Sequence, residues 1–269
     1  MVLAELRSIS AGGRTLAWRE AGDGAAVVLL HGIGSGSASW EGQLDGLGAD
    51  YRVIAWDAPG YGGSDALGGE TPVVADYAQA VANLLDALDL DRVHLVGHSL
   101  GALIAAAFAA RRADRLVTLT LADPSAGYAA SGDDMRVDRL ESRIRAIEEF
   151  GPAGLAERRS REVLSPNASE AAVAKVREVM SRLRPAGYKQ AARMMHSTDI
   201  YGDARAVSVP ALVMCGSADR VTPEDLARSI ASAIPGAEYQ TLDGLGHASY
   251  VEGPEIFNAP LRAFFGKHP

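Results

Sequence analysis

Three residue types that together perform acyl transfer lie in widely separated turns of the chain. Ser99 stands in a Gly-x-Ser-x-Gly motif, Asp219 follows an apolar run, and His247 lies in a short glycine-bounded loop. A serine hydroxyl is a weak nucleophile at neutral pH, so it needs a histidine base that a carboxylate orients. These residues are therefore the candidates for a nucleophile, an orienting acid and a base.

The segment around Ser99 predicts a strand, a tight turn and a helix. An apolar, β-branched run precedes the motif, and an Ala/Leu-rich run of high helix propensity follows it. In that context Gly97 and Gly101 let strand and helix pack closely around a strained nucleophile elbow. Free N–H groups at the helix start favour an oxyanion. The alternative is that Ser99 is an ordinary helix N-cap, because the three fixed positions recur by chance in about one such chain in ten.

A second aspartate competes with Asp219 for the role of the acid. Asp123 also ends a predicted strand and precedes a proline, and functional groups of a doubly wound sheet gather at the carboxyl ends of strands. We favour Asp219, and Asp123 stays as the alternative acid or as a turn residue. The chain order Ser99, Asp219, His247 differs from the orders of the two serine protease types.

The elements that must hold these residues alternate between strands and helices. Val2–Ser10 and Arg14–Glu20 predict an antiparallel hairpin, and six further apolar runs predict strands separated by helices. This pattern indicates an α/β fold with a mostly parallel, doubly wound, eight-stranded sheet. Residues 125–200 interrupt the alternation with helical segments alone, near 133–150, 152–164, 168–183 and 185–196. We therefore predict a core of residues 1–124 and 201–269 and a helical cap inserted after the sixth strand.

Composition narrows the function classes. The 269 residues carry a formal net charge of −8, which argues against nucleic acid as a partner. No apolar run is long enough for a membrane span, and the first residues lack a signal-peptide pattern. The single cysteine, Cys215, fits a cytoplasmic protein. Neither a zinc-ligand spacing nor a phosphate-binding loop is present, so we expect chemistry without a cofactor or a metal.

Several spaced motifs resemble those of the α/β-hydrolase fold superfamily, from one end of the chain to the other. They are His31-Gly32-Ile33-Gly34, Asp57-x-Pro-Gly-Tyr-Gly-x-Ser64-Asp, Gly97-x-Ser-x-Gly101, Gly216-x-x-Asp219-x-Val-Thr-Pro and Gly246-His247. The resemblance implies an oxyanion hole made by the backbone N–H groups of Ile33 and Leu100. It also implies that the helical insertion is the family's cap. The last two motifs look most like those of 3-oxoadipate enol-lactonases and meta-cleavage product hydrolases.

We therefore expect a cofactor-free serine hydrolase that cleaves a carboxylic ester or enol-lactone of a small molecule through an acyl-enzyme. One alternative is hydrolysis of a carbon–carbon bond in a ring-fission product. Another, from a different class, is a slow-turnover small-molecule receptor on the same fold. The oligomeric state is open, with a homodimer as one option.

The charge of the cap suggests a further hypothesis. Residues 124–200 contain 13 Lys and Arg against 11 Asp and Glu, although the whole chain is acidic. A cap arginine that points inward could pair with a substrate carboxylate. The alternative is that these arginines lie on solvent-facing helix surfaces in pairs such as Glu141–Arg145 and Glu157–Arg161.

Two histidines near the motifs have structural interpretations. We expect His31 to hold the oxyanion loop through backbone hydrogen bonds, and His98 either to touch the active-site wall or to serve packing alone. Met194 and Met195 are expected mainly as cap core.

Overall fold

A computed structural model describes residues 3–269 and contains one eight-stranded sheet. Its strands are β1 (Leu6–Ala11), β2 (Arg14–Ala21), β3 (Ala25–Leu30), β4 (Tyr51–Asp57), β5 (Val93–His98), β6 (Leu116–Ala122), β7 (Ala211–Gly216) and β8 (Glu238–Leu242). They lie in the order β1-β2-β4-β3-β5-β6-β7-β8. Strands β1, β2 and β4 pair antiparallel, and all other pairs are parallel. The predicted fold class is confirmed; Val2, the first residue of the predicted hairpin, lies outside the described residues.

Helices cover both faces of the sheet. They are α1 (Glu41–Leu47), α2 (Val74–Ala87), α3 (Leu100–Arg111), α4 (Asp133–Arg159), α5 (Glu170–Met180), α6 (Pro185–Ser197), α7 (Ile200–Arg205), α8 (Glu224–Ala233), α9 (Ser249–Glu252) and α10 (Pro254–Gly266). Helices α2, α3, α7 and α8 pack side by side in one layer, whereas α1 packs against α10 in the other. None of the helices within residues 3–269 is both long and apolar enough to cross a bilayer.

The central strand and the helix after it form the middle of the core. Every residue of β5 is buried, as expected for a parallel strand covered on both faces. Helix α3 is buried from Leu100 to Ala109 because the sheet lies on one side of it and α2 and α7 on the other. A helix enclosed in this way is apolar all round. The turn between β5 and α3 therefore joins two buried elements.

The segment between β6 and β7 contains helices α4 to α7, and only an isolated bridge between Gly127 and Asp199 has β pairing there. Gly151 breaks α4 with a φ of +62°, directly before Pro152, where the sequence predicted a new helix. The predicted end of that second helix near 164 is wrong, since it ends at Arg159. Helix α7 was not predicted, and it packs on α3 and α8 of the core. The division into core and cap at residues 125 and 200 stays a prediction.

Candidate active site

Ser99 occupies a sharp turn between β5 and α3. Its φ and ψ are +54° and −109°, which a non-glycine residue adopts only under strain. A Cβ atom on Gly97 would lie 2.3 Å from the carbonyl oxygen of Gly101, and one on Gly101 would lie 2.2 Å from that of Leu30. Only glycine fits at both positions, so the backbone can turn tightly enough to present the serine hydroxyl.

Ser99, His247 and Asp219 form a continuous hydrogen-bonded row. The Ser99 Oγ lies 3.0 Å from His247 Nε2, and His247 Nδ1 lies 2.8 Å from Asp219 Oδ2. All three side chains are buried. Since a carboxylate accepts, Nδ1 carries the proton and Nε2 is free to accept the serine proton. The structure thus brings together three residues that are at least 28 positions apart in the chain.

Asp219 is held as a carboxylate by its surroundings. Burial opposes its ionisation, but hydrogen bonds from His247 and Thr222 outweigh that effect and lower the pKa of its carboxyl group. The N–H groups of Val221 and Thr222 donate to Oδ1 at 2.7 and 3.0 Å, and the Thr222 hydroxyl donates to Oδ2 at 2.8 Å. An ionised and immobile Asp219 can fix both the tautomer and the orientation of His247.

The loop after β3 lies directly against the serine. A Cβ atom on Gly32 would lie 3.3 Å from that of Ser99. The Gly32 carbonyl accepts from His31 Nδ1 at 2.8 Å, and the Ile33 carbonyl accepts from the Tyr61 hydroxyl at 3.1 Å. In a trans peptide the N–H points opposite to the carbonyl. Because the Gly32 carbonyl is held on one side, the Ile33 N–H is presented on the other.

His31 has the structural contacts that its position predicts. Besides its bond to Gly32, its Nε2 accepts the N–H of Ala58 at 3.0 Å. The ring therefore connects the loop after β3 to the loop after β4.

Leu100, on the other side of the Ser99 turn, is the first residue of α3, where N–H groups lack intrahelical acceptors. The assignment of the Ile33 and Leu100 N–H groups to an oxyanion hole stays a prediction.

Asp123 lies beside the row but makes no contact with His247 Nδ1. Its Oδ1 accepts the N–H of Gly216 at 2.8 Å, and its Oδ2 accepts the Ser249 hydroxyl at 2.5 Å. Burial, and then the charge of Asp219, raise the pKa of Asp123 to about 7. The sequence interpretation as a simple turn residue is incomplete. This carboxyl group is fully buried and joins the end of β6 to Gly216, at the end of β7, and to Ser249, at the start of α9.

His98 has a role that sequence reasoning left undecided. Its Nε2 donates to the backbone carbonyl of His247 at 2.7 Å, and the two rings lie 4.9 Å apart. Burial lowers the pKa of His98 to about 3, so the ring is neutral and keeps one fixed donor. The residue before the nucleophile therefore positions the loop that carries the base.

A cavity of about 640 Å³ opens above these residues. Ser99 and His247 form its floor, Gly32 and Ile33 line one side, and cap residues such as Tyr188 and Met195 cover it. Met195 therefore faces the cavity, whereas Met194 is fully buried. A cavity of this size is typical of a small-molecule site.

The donor atoms of Asp123, Cys215 and Asp219 lie within 4.8 Å of one another. A metal ligand must be deprotonated, yet burial raises the pKa of the Asp123 carboxyl to about 7 and that of the Cys215 thiol well above its usual range. Asp219 is already saturated by hydrogen bonds. The chemistry of these donors does not suit a cation.

Comparison with known proteins agrees with this geometry. Residues 25–254 match the family model of the alpha/beta hydrolase fold. The chain is 26% identical to 3-oxoadipate enol-lactonase 1 of Acinetobacter baylyi, over 86% of this chain and 85% of that protein. It superposes on an esterase from Thermogutta terrifontis with a TM-score of 0.89, at 26% identity, over 99% of this chain and all of the other.

A second solved structure is that of the enol-lactonase from Burkholderia xenovorans LB400, which superposes with a TM-score of 0.87 at 26% identity. The superposition covers 97% of this chain and all of the enol-lactonase chain. These proteins are hydrolases, and the fold is that of an enzyme family, as the sequence motifs predicted. The likeness extends through both the sheet and the helical insertion. The chain therefore belongs to the α/β-hydrolase fold family and is an enzyme of the hydrolase class.

Proposed function

We propose that this enzyme hydrolyses carboxylic esters or enol-lactones of small molecules, with Ser99, His247 and Asp219 as its catalytic triad. The observation that carries the proposal is the buried row from Ser99 Oγ through His247 to Asp219, with distances of 3.0 and 2.8 Å, at the floor of one cavity. This is the arrangement in which a serine is activated for attack on a carbonyl.

In the acylation step, Ser99 Oγ attacks the substrate carbonyl and its proton passes to His247 Nε2. The negative charge that develops on the carbonyl oxygen is stabilised by the N–H groups of Ile33 and Leu100. Collapse of the tetrahedral intermediate breaks the bond to the leaving oxygen, which takes the proton from His247. An alcohol or an enol leaves, and the acyl group stays on Ser99.

In the second step, His247 takes a proton from a water molecule, which attacks the acyl carbon. The second tetrahedral intermediate collapses, Ser99 regains its proton and the carboxylic acid is released. Asp219 remains ionised throughout and stabilises the imidazolium that forms twice. A lactone follows the same sequence, except that the leaving oxygen stays attached to the product.

The preference for esters and enol-lactones is supported by the relatives. The structure from Thermogutta terrifontis is of an esterase with malate bound, and that from Burkholderia xenovorans is of an enol-lactonase. We propose a small-molecule substrate of one of these classes. The cytoplasmic location and the oligomeric state stay predictions.

The proposal is tested by steady-state hydrolysis of p-nitrophenyl butyrate and of a small enol-lactone. We expect multiple turnovers by the wild type and a loss of about 10⁴-fold or more in Ser99→Ala. Ser125→Ala is the matched control, because this second serine lines the same cavity but its hydroxyl hydrogen-bonds to no histidine within residues 3–269. If Ser99→Ala kept more than a few per cent of the activity in esterase-free protein, the nucleophile assignment would be wrong.

The same assay, with a ring-fission dienone as a third substrate, separates the two alternatives. A receptor on this fold would release about one nitrophenol per protein and then stall, since its acyl-enzyme would not turn over. A carbon–carbon hydrolase would consume a ring-fission dienone faster than either oxygen ester. Either result would contradict the proposed substrate class but leave Ser99 as the nucleophile.

A further inference from the structure

One cap arginine faces the catalytic cavity without an acidic partner. Arg143, on α4, lines the cavity that contains Ser99 and His247. Its Nη2 donates to the Tyr128 hydroxyl at 2.9 Å, and the Tyr188 phenol lies near enough to favour the charged guanidinium and raise the pKa of Arg143. Among residues 3–269 it forms no ion pair with a carboxylate. A guanidinium stays charged in a protein, and the hydrogen-bond acceptor of this half-buried cation is a phenol hydroxyl.

The other charged groups that line the cavity differ from Arg143. Arg159 is paired with Glu162 at 3.6 Å, and Arg139, Asp138 and Arg220 are exposed to solvent. The cap's remaining arginines include the expected pair Arg145–Glu141, at 3.9 Å. The expected pair Glu157–Arg161 is wrong, because both residues pair with side chains of α5 instead. Arg143 is thus distinguished by being recessed, unpaired with acid and directed at the cavity.

The phenols next to Arg143 complete a site for an anion. Tyr128 accepts from the guanidinium, so its own hydroxyl proton is free to donate. Tyr188 is buried and lines the same cavity. A guanidinium flanked by hydroxyl donors supplies several N–H and O–H groups to one planar carboxylate. A cation that is partly withdrawn from water and lacks a counter-ion is unfavourable, and a bound anion reduces that cost.

We infer that Arg143 binds a carboxylate of the substrate while the scissile carbonyl lies at Ser99. The inference rests on the proposed ester or lactone hydrolysis and narrows its substrates to monoesters or lactones of dicarboxylic acids. Arg143 is a specificity residue in this account, and it takes no part in proton transfer. Tyr128 and Tyr188 orient it and add hydroxyl donors.

The test compares p-nitrophenyl hemiglutarate with the matching glutaramate ester, whose terminal amide has the shape of the carboxylate but no charge. We expect wild-type kcat/KM to favour the anionic ester by about tenfold or more. In Arg143→Gln that ratio should collapse towards one, and Arg143→Lys should recover part of it. Arg145→Gln, an exposed arginine on the same helix, removes the same charge and should keep the wild-type ratio.

A binding measurement keeps this inference separate from the proposed reaction. Calorimetry with glutarate and the Ser99→Ala protein measures binding without any chemical step. We expect glutarate to bind to this protein. Addition of Arg143→Gln should abolish that binding, and glutaramide should not bind in place of glutarate. If the wild type cleaved both esters equally well, with Ser99 required, the anion site would be refuted and the hydrolase proposal would stand. If neither ester were cleaved but glutarate bound through Arg143, the hydrolase proposal would fail and the anion site would remain. Equal loss of both esters in Arg143→Gln would overturn the inference, since that is the effect of a merely structural residue.

Discussion

Replacing Asp123 by asparagine should change how the free energy of unfolding depends on pH. The carboxyl group is fully buried, accepts from Gly216 and Ser249, and has a pKa raised to about 7 by burial and by Asp219. An aspartate with a raised pKa binds more protons in the folded state than in the unfolded state between the two pKa values. Its stabilising contribution is therefore complete below the unfolded pKa and is lost as pH rises through the folded one.

The size of the effect follows from these two pKa values. An unfolded aspartate titrates near 3.9, and the folded value is about 7. Integration from pH 5 to pH 8 gives a loss of about 2–3 kcal/mol in the wild type. The side-chain amide of the Asp123→Asn variant cannot ionise, so the variant should lack this loss.

Buried histidines change the free energy of unfolding in the opposite direction over part of the same pH range. Burial lowers the pKa of His94 to about 4 and that of His98 to about 3, so their contributions to stability increase with pH until about 6.5. The wild-type curve alone therefore mixes the two effects. The difference between wild type and Asp123→Asn removes the histidine contribution, which both proteins share.

The measurement is urea unfolding of both proteins at several pH values from 5 to 8. The variant should gain about 2–3 kcal/mol relative to the wild type over that range, whatever its stability at pH 5. A difference that stayed constant within about 0.5 kcal/mol would mean that Asp123 does not change its ionisation there. The argument that burial and the charge of Asp219 raise the pKa of Asp123 would then be wrong.

Three further predictions concern the turn, the acid and the loop. Asp219→Asn should lower kcat by up to about 10⁴-fold because the amide stabilises the wrong imidazole tautomer. Asp123→Asn should lower kcat by less than about tenfold. If steady-state kinetics gave the reverse ranking, Asp123, directly after β6, would be the catalytic acid. Tyr61→Phe removes the hydrogen bond that holds the Ile33 carbonyl and, through it, the loop that carries the Ile33 N–H. It should lower kcat by about tenfold with little change in KM. If kcat and KM changed by the same factor, an oriented Ile33 N–H would not be supported. Gly101→Ala places a Cβ atom 2.2 Å from the Leu30 carbonyl oxygen. It should lower the free energy of unfolding by about 1–3 kcal/mol in thermal or urea unfolding. An unchanged unfolding midpoint would contradict the close packing of β3 against α3.

The sequence predicted the sheet and the elbow because both depend on local patterns. The buried run of β5, the two glycines around Ser99 and the Ala/Leu-rich start of α3 are contiguous, so their types alone indicate strand, turn and helix. Asp219 and His247 could be chosen because each follows a strand at its carboxyl end, where the sheet brings such residues together.

The remaining features depend on contacts between distant segments. That His98 donates to the His247 carbonyl requires the spatial meeting of residues 149 positions apart. The protonation of Asp123 depends on its burial beside Asp219 and not on its neighbours in the chain. The charge count of the cap suggested that an arginine could point inward, but it left the solvent-facing alternative open and could not choose a residue, because arginines occur throughout its helices. Only the packing of α4 on the cavity distinguishes Arg143.

The central claim is that Ser99 is the nucleophile, and labelling with a p-nitrophenyl alkylphosphonate tests it most directly. This reagent places a stable tetrahedral phosphonyl group on an activated serine and imitates the first intermediate. Intact mass and peptide mapping should show one adduct per chain, on Ser99, formed in step with the loss of esterase activity and absent from Ser99→Ala. Inactivation with an adduct on another residue, or full activity after complete labelling of Ser99, would contradict the account.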